Sequence, residues 1–265
     1  MIFLIVFIII LLLIIYTLLP SYRKHPDLRE LNGKYIAHRG FHNSEIGIPE
    51  NSIASLIEAS ARGYIIENDI RLTADYEVVV FHDVTLKRMC GVDKKVSDLT
   101  LSQIKQYKLL DTNEKIPTLN EFLSAVDGNV PILIEFKALN NDYKALCEKA
   151  DKILRNYKGK YFIQSFNPLV LLWYKKHNKA VLRGQLAMEP KDKKIISFLV
   201  SNFFMNFLAK PDFISYDYSK IHRLSFKIQK IFGAYSIAWT YKSQEAVNKT
   251  KKIIKAYIFE GFSPK

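Results

Sequence analysis

The chain opens on a long apolar run. Ile2 to Leu19 is apolar apart from Tyr16 and Thr17, and Pro20 follows it. A helix of about 18 residues is roughly 27 Å long, close to the ~30 Å hydrocarbon core of a bilayer. Residues 1–20 are therefore expected to form one transmembrane anchor, followed by a juxtamembrane linker over 21–33. A cleaved signal peptide is the alternative, but the run lacks a basic leader and a small-residue cleavage site.

The charges that flank this run indicate an orientation. Arg23, Lys24 and Arg29 follow it, and no charged side chain precedes it. Positive residues favour the cytoplasmic side of a membrane. The sequence thus predicts a single-pass protein of the cell membrane whose main domain, residues 34–265, lies in the cytoplasm.

From residue 34 onward, short apolar runs alternate with amphipathic stretches, which predicts a parallel sheet with helices outside it. The candidate strands are 35–37, 64–70, 78–81, 132–136, 161–164, 181–187, 213–216, 235–239 and 256–259. The candidate helices are 52–62, 102–107, 118–126, 142–157, 168–177, 193–208 and 244–254. Asn51 is the expected N-cap of the first of these helices, and Gly63 its terminator.

Nine candidate strands are one too many for an eight-stranded barrel. The loop between 64–70 and 78–81 is too short for a parallel crossover, so these two strands should form a hairpin. The other eight fit an α/β fold, a (β/α)8 TIM barrel with a small hairpin insertion at its active-site end. An open doubly wound sheet is the alternative. No G-x-G-x-x-G motif opens a helix, which counts against a dinucleotide-binding version of that sheet.

Three carboxylates are predicted to converge at one end of the barrel. Glu67 and Asp69 lie two residues apart on a strand and so share a face, and Glu135 lies near the end of another strand. Carboxylates among apolar neighbours are costly unless they are paired or bind a metal. Such an oxygen-rich cluster suits a hard cation, Ca²⁺ or Mg²⁺.

Two histidines and two cationic residues accompany these carboxylates at strand ends. Arg39 and Lys137 are residue types that bind phosphate. His38 and His82 can exchange protons near neutral pH. Each motif alone is more typical of a turn or an ion pair. All of them at strand ends, in barrel order, indicate a phosphate-handling active site.

The chain is strongly basic, with a net charge of +13. Its lysines are spread along the sequence rather than concentrated with aromatic residues, which argues against nucleic acid as a partner. A surface beside anionic lipids, attraction of phosphate substrates, or a lysine-rich composition without a specific role all fit this charge. Cys90 and Cys147 have neither metal-ligand spacing nor a disulfide framework around them.

Five short motifs follow one another along the chain: His38-Arg39-Gly40, Pro49-Glu50-Asn51-Ser52, Ile66-Glu67-Asn68-Asp69-Ile70, His82-Asp83 and Ile134-Glu135-Phe136-Lys137. This order resembles the glycerophosphodiester phosphodiesterase family. Segments 116–121, 165–166 and 238–240 are also similar to that family. The resemblance extends from about residue 34 to the C-terminus.

The resemblance implies a barrel that hydrolyses glycerophosphodiesters to glycerol 3-phosphate and an alcohol. His38 and His82 would then be the acid/base pair. Three carboxylates, Glu67, Asp69 and Glu135, would hold the divalent cation, and Arg39 and Lys137 would contact the phosphate. Trp239 is a candidate for the wall of the substrate pocket, although a core role for its indole fits equally well.

Three features depart from the family pattern. Asn68 replaces the usual apolar residue between the two carboxylates and is expected to face outward with little effect. The segment 83–131 is short, so the insertion over the site should be small. Segment 258–262 stands where many members have Ile-Thr-Asp, a change expected to act on the substrate pocket.

Two other functions stay open at this point. A lysophospholipase D-like activity would cleave lipid headgroups at the bilayer, and the apolar segment 195–208 would suit an interface. A membrane-tethered module that binds phosphate or anionic lipid without turnover is the third reading, although all seven expected catalytic residues are present. The attacking nucleophile is either the glycerol hydroxyl of the substrate or a water molecule.

Overall fold

The computed structural model describes residues 1–21, 26–138, 142–190 and 193–265. Its strands are β1 (Tyr35–Ala37), β2 (Ile65–Leu72), β3 (Val78–Val80), β4 (Ile132–Phe136), β5 (Tyr161–Ser165), β6 (Arg183–Ala187), β7 (Phe213–Asp217), β8 (Tyr235–Tyr241) and β9 (Ala256–Phe259). Its helices are α1 (Ile2–Leu18), α2 (Pro26–Glu30), α3 (Ile53–Ala61), α4 (Lys87–Cys90), α5 (Leu101–Ile104), α6 (Leu119–Val126), α7 (Tyr143–Leu154), α8 (Pro168–His177), α9 (Ile195–Ser201), α10 (Asn206–Ala209), α11 (Leu224–Ile231) and α12 (Gln244–Thr250).

Eight parallel strands close into a barrel. Around the ring the order is β1-β9-β8-β7-β6-β5-β4-β2, and β1 pairs with both β9 and β2. The remaining strand, β3, pairs antiparallel with β2 across the turn at residues 73–77. The predicted barrel and its hairpin are therefore confirmed.

The amino-terminal end of the barrel is filled by apolar side chains. Inward residues of the strands, including Ile65, Leu133 and Phe162, form one buried cluster there. Leu28 and Leu31, on and just after α2, pack into the same cluster. Because apolar side chains close this end, an active site is expected at the opposite end, where the strands finish.

The insertion between β3 and α6 has a small core of its own. Val79 and Phe81 pack against Leu86, Met89 and other buried residues up to Ile116. This core makes the segment a compact cover beside the carboxyl ends of the strands, in line with the small insertion expected from the sequence.

Two helix predictions need correction, and three of the described helices, α2, α4 and α11, have no counterpart among the predicted ones. Helix α3 is capped by Ser52, whose hydroxyl accepts from the Ser55 N–H, and not by Asn51. The predicted helix 193–208 is broken into α9 and α10, with Phe203 in the left-handed region at φ 64°. Helix α11 was not predicted at all. Its buried face carries Ser225 and Gln229 along with Phe226, so apolar periodicity does not mark it.

The predicted transmembrane anchor is not supported. Within the described ranges, no helix combines the length and the apolar character that crossing a membrane requires. Helix α1 has 17 residues and ends at Leu18, so it is shorter than the run from Ile2 to Leu19 on which the prediction rested. Arg23 and Lys24, which carried the predicted orientation, lie outside the described residues, whereas part of the expected linker is helix α2.

Candidate active site

The expected site residues gather around one cavity at the carboxyl ends of the strands. The cavity has a volume of about 270 Å³. Its wall includes both histidines, both phosphate-binding candidates, two of the carboxylates and the indole: His38, His82, Arg39, Lys137, Glu67, Glu135 and Trp239. Asp69 is fully buried beside this wall. The structure thus brings together all eight residues that the sequence singled out.

The three carboxylates form a cluster with the donor set of a metal site. Glu67, Asp69 and Glu135 are buried, and each offers a carboxylate oxygen within 4.8 Å of those of the other two. Strand register creates this arrangement, because Asp69 on β2 lies opposite Glu135 on β4. Asn68, between the two β2 carboxylates, is not part of the cavity wall and is itself fully buried.

Electrostatics of the cluster favour an added positive charge. Burial, together with the charges of Asp69 and Glu135, raises the pKa of Glu67 well above its usual range. Burial also raises the pKa of Glu135. Packing a third negative charge here is therefore unfavourable unless a cation compensates it. The residues present fit a hard divalent cation with oxygen ligands.

Lys137 is the nearest protein cation to this cluster. Its Nζ lies 2.5 Å from Oε1 of Glu135 and 3.2 Å from Oδ1 of Asp69. Burial opposes its charge, but the carboxylates of Asp69 and Glu135 outweigh burial and raise the pKa of Lys137 above its usual range. Lys137 therefore presents a permanent ammonium group to the cavity.

Arg39 connects the carboxylate cluster to the loop after β1. Its backbone N–H donates to Oε2 of Glu67 at 3.0 Å, and its Nη1 donates to Oε1 of Glu50 at 2.8 Å. Its Nε lies 3.4 Å from Oδ2 of Asp69. The guanidinium is thus held at the cavity wall, and its contact with phosphate stays a prediction.

Each histidine is held by a carboxylate at Nδ1. His38 Nδ1 lies 2.5 Å from Oε2 of Glu260, and His82 Nδ1 lies 2.6 Å from Oδ1 of Asp83. This contact places the proton on Nδ1 of the neutral ring and leaves Nε2 for proton transfer. The hydrogen bond from His38 lowers the pKa of Glu260 to about 2. Burial lowers the pKa of His82, which favours its neutral form.

The sequence indicated no role in the site for five residues that support it, Glu50, Asn51, Asp83, Arg88 and Glu260. Arg88 donates to both carboxylate oxygens of Glu50 and to Asp83, so ion pairs run from His82 through Asp83, Arg88 and Glu50 to Arg39. Asn51 Nδ2 donates to Oδ2 of Asp69 at 2.9 Å. Glu50 and Asn51 belong to the motif Pro49-Glu50-Asn51-Ser52, so the sequence did contain a signal that could have identified them. Glu260 lies in segment 258–262, which the sequence marks only as a departure from the family ending.

The remaining cavity wall is largely apolar. Trp239 packs edge to face against Phe166 with ring centroids 6.0 Å apart, and Leu186 and Met188 complete this side. The Nε1–H of Trp239 has no hydrogen-bond partner among the described residues. Its indole lies at the cavity wall and also packs against the barrel core, so contact with a bound substrate stays a prediction.

A sequence profile of the glycerophosphoryl diester phosphodiesterase family matches residues 38–259. The chain belongs to this family. The match covers every residue of the site except Glu260, and it begins at His38.

Two curated relatives of this family member come from distant organisms. A glycerophosphodiester phosphodiesterase of Caldanaerobacter subterraneus subsp. tengcongensis is 35% identical over 147 residues, which cover 50% of this chain and 57% of that protein. Lysophospholipase D GDPD1 of Rattus norvegicus is 32% identical over 141 residues, 48% of this chain and 43% of that protein. The chain thus spans about half the length of these relatives.

Solved structures share the fold over most of the chain. A Thermotoga maritima glycerophosphodiester phosphodiesterase superposes with a TM-score of 0.65 at 27% identity, covering 85% of this chain and 93% of that one. An Oleispira antarctica phosphodiesterase in complex with the product sn-glycerol-3-phosphate superposes with a TM-score of 0.73 at 21% identity, covering 88% and 94%.

The turn that carries Arg39 requires glycine at position 40. Gly40 has φ +80°, and a Cβ built on it would lie 2.8 Å from the carbonyl carbon of Ser55. We expect Gly40→Ala to lower the free energy of unfolding by about 2–5 kcal/mol, from left-handed strain and overpacking. Gly63→Ala is the matched control, because Gly63 has φ +69° with open space around it; its cost should be about 1–2 kcal/mol. Equal losses in urea unfolding would contradict this account.

Glu260 is expected to act by positioning His38. Replacing it by glutamine keeps an acceptor for Nδ1–H but removes the charge that stabilises a protonated ring. We expect Glu260→Gln to lower kcat by about 10–100-fold, the range typical of a partner that orients a functional histidine, and to leave KM unchanged. Steady-state kinetics with Glu189→Gln, which alters a carboxylate away from both histidines, provides the control. A rise in KM at constant kcat would instead place Glu260 in substrate binding.

Proposed function

We propose that this protein catalyses the metal-dependent hydrolysis of glycerophosphodiesters to glycerol 3-phosphate and an alcohol. One observation carries the proposal: three buried carboxylates, two cationic side chains and two carboxylate-bound histidines surround a single cavity. This combination supplies the groups that phosphodiester hydrolysis needs. A binding module without turnover would have no need for a complete set of proton-transfer groups.

Glu67, Asp69 and Glu135 would hold the cation, Ca²⁺ or Mg²⁺. The bound cation would supply charge neutralisation at the non-bridging phosphate oxygens as the transition state develops. Lys137 and Arg39 add permanent positive charge at the same wall and would orient the phosphate by hydrogen bonds. The three carboxylates would thus bind the cation, and Lys137 and Arg39 would bind the substrate.

The two histidines would exchange the protons of the reaction. His82 is favoured as the base, because its lowered pKa keeps the ring neutral and able to accept a proton at Nε2. His38 would donate a proton to the oxygen of the leaving alcohol, and Glu260 would stabilise its protonated ring. The proton accepted by His82 comes from the glycerol hydroxyl or from water, depending on which is the nucleophile.

A lipid substrate is the second candidate. One curated relative is a lysophospholipase D, and the apolar cavity side at Phe166, Leu186, Met188 and Trp239 could receive part of a lipid. The glycerophosphodiester phosphodiesterase of Caldanaerobacter is the more similar of the two relatives, at 35% identity against 32% for the lysophospholipase D. We therefore place water-soluble glycerophosphodiesters first.

Product analysis tests both candidates. The full chain is incubated with glycerophosphocholine or lysophosphatidylcholine, and phosphorus products are separated. Glycerol 3-phosphate with choline from the first substrate is the expected result, and lysophosphatidic acid from the second would support the lipid activity. Phosphocholine as the product would contradict the proposal, since the opposite ester bond would have been cleaved.

Residence at the cell membrane, with the barrel in the cytoplasm, belongs to the proposal as well. Its support is helix α1, whose side chains from Ile2 to Ile14 are apolar and exposed. Separation of membrane and soluble fractions from cells, followed by protease treatment of inverted and right-side-out vesicles, would test it. Recovery of the protein in the soluble fraction would contradict this part.

A further inference from the structure

Exposed apolar side chains are concentrated on two helices of the barrel wall. On α9, Ile195, Ile196 and Phe198 are 75%, 64% and 53% exposed, and on α11, Leu224 and Ile231 are 72% and 80% exposed. Elsewhere on the described barrel, exposed large apolar residues occur singly, such as Ile57 on α3. Single exposed apolar residues are normal for a protein surface, but a group of them marks an interaction site.

These two helices belong to one continuous surface. They follow the neighbouring strands β6 and β7. Glu189, after β6, forms ion pairs with Lys220 and Arg223, which precede α11. Lower on the wall, Asn206 Nδ2 of α10 donates to Oε1 of Gln229 on α11 at 3.0 Å. We call the surface formed by α9, α10 and α11 the α9–α11 flank.

The apolar helix α1 is attached to this same flank. The carbonyl of Leu18, at the end of α1, accepts hydrogen bonds from Asn206 Nδ2 at 3.1 Å and Gln229 Nε2 at 2.8 Å. Lys210 Nζ donates to the Tyr16 carbonyl and lies 4.3 Å from the centroid of its ring. These donors satisfy carbonyls that every helix leaves free at its C-terminus. Helix α1 therefore projects from the flank that exposes the apolar side chains.

The flank is also basic. Residues 189–231, which include Glu189, contain eight lysine and arginine residues, one glutamate and three aspartates, a net charge of +4. One of these aspartates, Asp212, is buried, so it does not offset charge at the surface. Apolar side chains among basic ones are typical of surfaces that bind membranes containing anionic lipids. A water-exposed wall has no need for this combination.

We propose that the α9–α11 flank is a docking surface for a bilayer that contains anionic lipids. Ile195, Ile196, Phe198 and Leu224 would enter the interface, and the basic residues would contact lipid phosphates. Met188, which lines the catalytic cavity, immediately precedes Glu189 at the edge of this flank. Docking would consequently bring the mouth of the cavity beside the lipid surface. The inference concerns the surface alone and stands whether or not the proposed hydrolysis is observed.

Tryptophan fluorescence in the full chain distinguishes the flank from other parts of the barrel. Phe198→Trp places a reporter on the flank, and Ile57→Trp places the control on α3, which follows β1, four positions from β6 around the ring. The two native side chains are equally exposed, at 53% and 54%. Vesicles of phosphatidylglycerol and phosphatidylcholine carry bromine on their acyl chains, and the signal of the native tryptophans is subtracted.

We expect brominated anionic vesicles to quench the flank reporter of Phe198→Trp at least about twofold more than the control reporter of Ile57→Trp. Equal quenching of both reporters, or quenching of neither while the protein is bound through α1, would overturn the proposal. Absence of vesicle binding would do the same. Hydrolysis of glycerophosphocholine is measured in the same samples, so failure of docking and failure of the proposed activity are read separately.

The contribution of charge has its own test. Lys193→Glu/Lys227→Glu reverses two exposed charges on the flank, and Lys94→Glu/Lys95→Glu makes the same change of charge in the insertion. At low salt, the first variant should bind phosphatidylglycerol vesicles at least about tenfold more weakly than wild type, since each basic residue near such a surface contributes substantially to binding. The second should bind more tightly than the first. Equal weakening in both would show a general charge effect and contradict a defined flank.

Discussion

Replacing His82 by alanine is expected to lower kcat for glycerophosphodiester hydrolysis by about 10²–10⁴-fold, the usual contribution of a positioned acid or base. The ring lines the cavity, and Asp83 fixes its Nδ1 at 2.6 Å. Its alanine variant retains the cation-binding carboxylates and both phosphate-binding residues. KM should therefore change much less than kcat. His38→Ala should produce a loss of the same order, because the two rings serve successive proton transfers.

A matched histidine variant separates this effect from a change in the fold. His222 is exposed and does not line the cavity, so His222→Ala should keep wild-type kcat. Circular dichroism and thermal unfolding would establish that all three variants are folded. Near-wild-type turnover by both His38→Ala and His82→Ala would contradict the assignment of the acid and base.

Removing one charge from the carboxylate cluster is expected to change activity and stability in opposite directions. Glu67→Gln keeps the shape of the side chain and an acceptor for the Arg39 N–H. It removes one ligand charge from the metal site, so kcat should fall by at least about 100-fold, more than for loss of an outer-sphere partner. In EDTA, however, the variant should have a higher Tm than wild type near neutral pH.

The sign of the stability change follows from the pKa of Glu67. Burial and the charges of Asp69 and Glu135 raise this pKa in the folded protein. The unfolded chain thus releases the proton at lower pH than the folded protein does. Stability of the metal-free protein is therefore lost as pH rises from the ordinary glutamate range through the raised folded pKa. Glutamine cannot ionise, and Glu67→Gln removes this loss.

Thermal unfolding in EDTA at several pH values checks this prediction, with Glu58→Gln as the control for a partly exposed glutamate on α3. The difference in Tm between Glu67→Gln and wild type should grow with pH, whereas Glu58→Gln should follow wild type. Added Mg²⁺ or Ca²⁺ should raise the Tm of wild type more than that of Glu67→Gln. A Tm for Glu67→Gln below wild type at every pH would show that ionised Glu67 stabilises the metal-free fold.

Much of the site could be predicted from local spacing. Two residues separated by one position on a strand share a face, and this rule alone places Glu67 and Asp69 together. The short loop before residues 78–81 excludes a parallel crossover and requires the hairpin. These deductions use only the neighbourhood of each residue along the chain.

Contacts that depend on closure of the ring could not be predicted in this way. Glu260 follows β9 and His38 follows β1, and they meet because these strands are neighbours in the closed barrel. Asparagine is a common N-cap residue, but the side-chain amide of Asn51 donates a hydrogen bond to Asp69, and Ser52 is the N-cap of α3. In each case a tertiary partner decided the role of the residue.

The apolar pattern also misled where apolar residues face outward. Helix α11 buries Ser225 and Gln229 and exposes Leu224 and Ile231. The pattern of apolar and polar residues along this helix therefore does not indicate which of its faces is buried. Gln229 is buried because it binds the end of α1. Leu224 and Ile231, the exposed apolar residues of this helix, belong to the α9–α11 flank that we assign to membrane docking.

Release of glycerol 3-phosphate from glycerophosphocholine by the full chain tests the central claim most directly. The rate is followed in untreated protein, after addition of EDTA, and after Mg²⁺ or Ca²⁺ is restored in excess. We predict turnover that EDTA abolishes and one of the two cations recovers. Unchanged turnover in EDTA would contradict a catalytic cation at Glu67, Asp69 and Glu135, and no turnover with either cation would contradict the proposed substrate.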